Sequence, residues 1–113
     1  MYSTPLLTST PHGRVAAIAS ARAGELYGLE HAVERVAAAC EAARGLDVPF
    51  MVTARAENFI RGNPDLDDTI ARLQAFEQAG ADVLYAPGLS TVDEIRAVCD
   101  ATSRPVNVLA RPN

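Results

Sequence analysis

The reading of the fold turns on Val48 to Phe59, VPFMVTARAENF. Six of these residues, Phe50 to Arg55, predict a buried strand. The apolar side chains of Phe50, Met51 and Val52 run into Thr53 and Ala54, and the run stops at a cluster of Arg55, Glu57 and Asn58. A short apolar run bounded by turn formers and followed by a helical pattern marks a βα unit of a parallel sheet. Ligands of such folds bind beyond the carboxyl ends of the strands. Arg55 stands at such an end, which makes it the first candidate for anion recognition.

Working outward, Leu29 to Arg44 predicts a helix, because Leu29, Val33, Val36, Cys40 and Ala43 recur at three- and four-residue spacing. Gly45 suits a left-handed C-cap, and Pro49 introduces the strand. After the strand, Gly62, Asn63 and Pro64 break the chain. A second helix is predicted over Leu66 to Ala79, with Asp65 as N-cap, Asp68 in the place of a capping-box glutamate, and Leu66, Ile70, Leu73 and Phe76 as the apolar stripe. Gly80 closes it. A second strand, Asp82 to Ala86, ends at Pro87-Gly88. A third helix, Thr91 to Ala101, carries a Thr91–Glu94 capping box and turns Val92, Ile95, Val98 and Cys99 inward; a third strand covers Pro105 to Leu109. Residues 1–24 carry loop formers and then a small-residue run, Val15 to Ala23, with neither strand alternation nor a helical stripe. An irregular or disordered arm is expected there, with a weak helix as the alternative.

Strands alternating with helices imply parallel strands joined by right-handed crossovers. The expected fold class is α/β: a partial (β/α)8 TIM barrel of about three parallel strands with three helices, occupying 25–113. A closed barrel needs about 250 residues, and the chain has 113.

Composition narrows the function. A net charge of −4, from 10 basic and 14 acidic residues, argues against nucleic acid and against a polybasic membrane anchor. No apolar run reaches the roughly 18 residues of a membrane span, and no secretory leader is recognisable, so the cytoplasm is the expected location. Cys40 and Cys99 both fall on expected helix faces and read as buried, reduced thiols. His12 and His31 are isolated, and no metal-ligand spacing is present. Asp65, Asp67 and Asp68 crowd a helix start, where acids serve as caps and dipole partners. Tyr85 reads as strand core or rim, and Asn107 as an internal polar group in need of a partner.

TARAENF, then PDLDDTIARLQAFEQAGADVLYAPG, then RPVNVL together resemble the isocitrate lyase/phosphoenolpyruvate mutase superfamily, in its carboxyvinyl-carboxyphosphonate phosphonomutase-like or 2-methylisocitrate lyase-like branch. The likeness covers about residues 25–112. It implies a Mg²⁺-dependent barrel that makes or breaks C–C or P–C bonds beside a 2-oxo acid. By the same resemblance Arg55 binds a substrate carboxylate or phosphonate, for which a guanidinium is well shaped. Glu57 supports it in the catalytic set, as an orienting acid or through water to a metal. Asn58, Pro87 and Gly88 belong to the substrate-binding rim, and Pro87 stands where relatives carry a Glu or His.

The family's metal-binding acids and Cys-containing loop are not recognisable upstream of Glu25, so no metal ligand is assigned and a truncated or frame-disrupted chain is expected. Three functions stay open. One is a lyase or mutase on a small carboxylate or phosphonate. Another is a non-catalytic remnant, in which Arg55 is only ion-paired to Glu57 or to a neighbouring strand. The third is a structural module that forms a homo-oligomer through exposed barrel edges.

Overall fold

The computed structural model describes residues 6–10, 13–19, 21–22, 25–60, 62 and 64–108. Ten elements follow in order: β1 (Leu6–Thr10), β2 (Gly13–Ala19), β3 (Ala21–Arg22), β4 (Glu25–Leu26), α1 (Leu29–Arg44), β5 (Phe50–Arg55), α2 (Leu66–Gln78), β6 (Val83–Tyr85), α3 (Val92–Ala101) and β7 (Val106–Asn107). The main sheet has the order β1-β2-β5-β6-β7; β3 and β4 form a separate antiparallel pair.

The three expected helices and three expected strands are all present, and four further strands, β1 to β4, precede them. From β2 to β7 every neighbouring pair is parallel. Spatial order follows sequence order, so each crossover steps the same way across the sheet. A doubly wound sheet would reverse direction somewhere. Stepping one way only is the winding of a barrel wall, and it keeps the helices on one face. In keeping with that, α1 packs on β2, β5 and α2, while α2 packs on β5, β6 and α3.

The expected irregular arm over 1–24 is corrected by this sheet: 6–10 and 13–19 are strands, with β2 in six-residue register on β5 and β1 folded back on it as a hairpin. The weak-helix alternative for Val15 to Ala23 fails with it, since 15–19 lie in β2. Alanine-rich sequence favours a helix locally, but pairing along the whole of β5 overrides that preference. Ala21–Arg22 form β3, and the remaining residues of the arm lie outside those described.

Side chains on β5 divide by the pleat. Val52 and Ala54 are fully buried under the helices, with Leu84 of β6 in the same layer as Ala54. Around them pack Val36 and Cys40 of α1, Leu73 and Phe76 of α2, and Val98 of α3. Met51, on the opposite face, is exposed. Several helical stripes are narrower than expected. Leu29, Val92 and Cys99 are exposed, while Ala32, Thr69 and Arg72 are buried. For α3 the reason is position: α2 flanks it on one side, and Val98 alone is buried along its length.

The amino ends of the strands are latched. Asp82 Oδ2 accepts from the Val52 amide at 2.9 Å, and its Oδ1 accepts from Arg44 Nη2 at 3.0 Å. Arg44 Nη2 also donates to the Gly80 carbonyl at 2.9 Å, so the last turn of α1 is tied to β5 and β6. Gly45 ends α1 in a right-handed conformation, φ −83°, not the expected left-handed one. The Gly45 amide still donates to the Ala42 carbonyl and the Leu46 amide to the Ala43 carbonyl, each at 3.3 Å, so the end is satisfied without that geometry. Thr91 and Glu94 form the expected capping box. Among the described residues no helix is long and apolar enough to cross a membrane.

Candidate functional site

Parallel register places Ala19, Arg55, Tyr85 and Asn107 side by side at the carboxyl ends of β2, β5, β6 and β7. Register partners in a parallel sheet share a face. Ala54 and Leu84 occupy the helix-covered face, so the Arg55–Tyr85–Asn107 row points to the other, the face that a barrel turns inward. In each case the residue is the last of its strand, where barrels and open sheets hold their ligands.

Arg55 is partly exposed, and its guanidinium Cζ lies 5.5 Å from the centroid of the Tyr85 ring, within range of a cation–π contact. Its Nη2 is 3.7 Å from Glu57 Oε1. That is an ion pair too long to be a hydrogen bond. Buried Arg55 Nε has no hydrogen-bond partner among the described residues. Glu57 is 2% exposed and lies just beyond the strand, where the Ala56 amide extends the pairing by donating to the Tyr85 carbonyl at 2.8 Å.

Asn58 sits differently from the expectation of a substrate-binding side chain. It is fully buried, and its Nδ2 donates to Asp68 Oδ2 at 2.7 Å. The same oxygen accepts from Arg72 Nε at 2.8 Å. Asn58 therefore ties the loop that carries Glu57 to the first turns of α2. Asp65 caps α2 by accepting from the Asp68 amide, but the Asp68 side chain does not complete a capping box. A carboxyl one carbon shorter than glutamate's is directed to Asn58 and Arg72 instead. Burial works to raise the Asp68 carboxyl, yet the hydrogen bonds from Arg72 and Asn58 and the charge of Arg72 outweigh it, leaving it below its ordinary range.

Pro87 and Gly88 lie where the row expects its rim. With Tyr85, Leu89, Ile95 and Asn107 they line a small cavity of about 10 Å³, room for about one water. Gly88 has φ +98°, and a Cβ there would meet Phe59 Cβ at 2.8 Å and Ile60 Cγ2 at 3.0 Å. Glycine lets the β6 loop press against the β5 loop, which brings the two halves of the rim together.

Tyr85 and Asn107 are the members of this row that residue-by-residue reading missed as site residues. The signal was positional: each ends a strand, as Arg55 does. Among the described residues no group of three or more His, Cys, Asp or Glu is placed to hold a metal ion. The Mg²⁺ implied by the resemblance thus finds no ligand set in them.

The model of the family described as phosphoenolpyruvate phosphomutase matches residues 16–113. An oxaloacetate decarboxylase of Paraburkholderia xenovorans (strain LB400) is 36% identical over 87 residues, 77% of this chain and 28% of that protein. A protein from Burkholderia cenocepacia J2315 described as a lyase/mutase superposes with a TM-score of 0.83 at 50% identity, covering 88% of this chain and 37% of the other. A phosphonopyruvate hydrolase in complex with oxalate and Mg²⁺ superposes with a TM-score of 0.62 at 31% identity, covering 81% and 33%. The chain thus spans about a third of the length of these relatives.

Proposed function

The chain belongs to the phosphoenolpyruvate phosphomutase family, within the phosphoenolpyruvate mutase/isocitrate lyase superfamily, and on that premise we propose that its Arg55 end is the acid-recognition part of a lyase or mutase site for 2-oxo or related acids. The observation that carries the reading is the state of Arg55. Its guanidinium stands at a strand end, partly exposed, with a carboxylate no nearer than 3.7 Å and a buried Nε without a partner among the described residues. Such a group has donors left for a ligand. A carboxylate or phosphonate would take two of them in parallel.

Glu57, almost fully buried beside Arg55, keeps the guanidinium at the strand end, and Asn58 holds the Glu57 loop through Asp68. Pro87 and Gly88 form an uncharged rim. The bond that the whole enzyme makes or breaks is a C–C or P–C bond next to the oxo group. In the relatives, oxalate and Mg²⁺ occupy a phosphonopyruvate hydrolase, which makes oxalate the appropriate probe. The chain is a cytoplasmic protein in this reading, and the edge strands β1 and β7 are the seams through which copies of it would pair as a homo-oligomer.

The test is calorimetric titration of oxalate into the full chain, with and without Mg²⁺, alongside Arg55→Ala. Wild type is expected to bind, and loss of a charge-assisted pair worth about 1.5–3 kcal/mol should weaken binding roughly 10- to 150-fold. A folded wild type that ignores oxalate in both conditions, or an Arg55→Ala chain that binds it equally well, overturns the proposal.

A further inference from the structure

We propose that Tyr85 is a positioning residue for Arg55: its ring holds the guanidinium tilted from β5 across β6, so that the bound acid group rests over β6, beside Asn107. This rests on the reading of Arg55 as the acid-binding residue and adds what aims it.

Neighbouring strands lie about 4.8 Å apart, so Arg55 and Asn107, two strands apart, have backbones separated by about 10 Å. An arginine standing straight up from β5 would project its charge over its own strand. Here Cζ is instead 5.5 Å from the Tyr85 ring centroid, which places the charge towards β6. The Glu57 contact at 3.7 Å is beyond hydrogen-bond range, so it draws the guanidinium by charge and does not set its orientation. Nε makes no hydrogen bond among the described residues. The ring face of Tyr85 is therefore the contact that sets the tilt. An aromatic face attracts a guanidinium without using its N–H donors, so the fork remains available to a ligand.

The described residues that line the cavity beside the ring are uncharged. Tyr85, Pro87, Gly88 and Asn107 line one cavity, and the Asn107 amide can donate or accept. The tilt thus delivers one ionised group to Arg55 and leaves the adjoining oxygen of the same ligand, a carbonyl or hydroxyl, against Asn107.

The test uses the full chain and three substitutions, Tyr85→Phe, Tyr85→Leu and Arg55→Lys. In ¹⁵N-edited NMR the Arg55 Nε–Hε signal is assigned by its loss in Arg55→Lys. It is expected upfield in wild type, from the ring current, to stay there in Tyr85→Phe, and to move to the position of solvent-exposed arginines in Tyr85→Leu. Oxalate titrated in the presence of Mg²⁺ should bind Tyr85→Leu about 3- to 30-fold more weakly than wild type, with Tyr85→Phe restoring most of the affinity. A Tyr85→Leu chain with native circular dichroism that leaves the Arg55 signal unmoved overturns the inference, and so does one that binds oxalate as tightly as wild type. If the signal behaves as expected but wild type binds no oxalate, the positioning contact stands and the acid-binding reading of Arg55 falls.

Discussion

Replacing Gly88 by alanine should separate steric from conformational strain at the rim. Gly88 sits at φ +98°, where a side chain is strained whatever the space around it; that part costs about 1–2 kcal/mol. Its new Cβ would also lie 2.8 Å from Phe59 Cβ and 3.0 Å from Ile60 Cγ2. Phe59 Cβ is attached directly to the backbone and cannot swing aside, so the β5 loop must shift. Overpacking of that kind costs about 1–3 kcal/mol more. Gly62 is the control. It has φ +81° and nothing within 4 Å of a built Cβ, so Gly62→Ala carries the conformational part alone. Urea unfolding followed by circular dichroism would give both stabilities. Gly88→Ala should be less stable than Gly62→Ala by about 1–3 kcal/mol, which for a chain of this size lowers the melting midpoint by a further 5–20 °C or so. Equal losses would mean that the β6 and β5 loops are not in contact at Gly88, and the description of the rim would be wrong.

Two further expectations concern titration and thiol access. Because the Asp68 carboxyl is held below its ordinary range, its contribution to stability is complete above the unfolded-state value of about 3.9 and is lost as pH falls through the lower folded value. Asp68→Asn should therefore flatten the fall in stability below about pH 4, measured by urea midpoints across an acid series; an unchanged slope would refute the assignment. Cys99 is exposed, whereas Cys40 is buried and its thiol is pushed up by burial, with Arg44 opposing and Asp82 adding to the shift. A thiol reagent should label one cysteine quickly in the native chain and the second only on unfolding, as mass spectrometry of the labelled peptides would show. Rapid labelling of both would place Cys40 outside the core.

Much of the fold was legible because β5, β6 and the three helices carry their own signals. Thr91 and Glu94 name a helix start, Gly80 names a helix end at φ +112°, and Leu73 and Phe76 repeat at helical spacing. What sequence could not supply was pairing. β2 has weak local preference, and becomes a strand because six residues of β5 face it. The candidate site divides in the same way. Arg55, Pro87 and Gly88 were visible as a charged strand end and a turn. Asn58 was picked out because its residue type suits an anion site; its Nδ2 contact with Asp68, ten positions away, could not be read from the sequence because it needs the β5–α2 loop to bring the two together. Tyr85 and Asn107 become a row with Arg55 only when register aligns three strand ends.

Among the described residues, Arg44, Arg55 and Arg72 sit beside carboxylates, and the distances separate their duties. Arg44 Nη2 lies 3.0 Å from Asp82 and Arg72 Nε lies 2.8 Å from Asp68, each a hydrogen-bonded pair, whereas Arg55 lies 3.7 Å from Glu57. Arg72 is committed to Asp68 and buried, and although its Nη1 has no hydrogen-bond partner among the described residues, burial keeps a ligand from it; Arg55 is partly exposed at a strand end and held loosely against an aromatic ring. Removal should therefore act on different quantities. Arg72 is buried, and Arg72→Ala takes a charged hydrogen bond from Asp68, with an expected loss of about 1–3 kcal/mol of stability. Arg55→Ala takes the cation 3.7 Å from Glu57, which is 2% exposed, so it too should cost about 1–3 kcal/mol of stability, but it alone should carry the loss of oxalate binding. Paired urea melts and oxalate titrations of the two variants read both effects. If Arg55→Ala binds oxalate as wild type does, or a folded Arg72→Ala loses binding to the same degree, then Arg55 is a structural arginine like the other two.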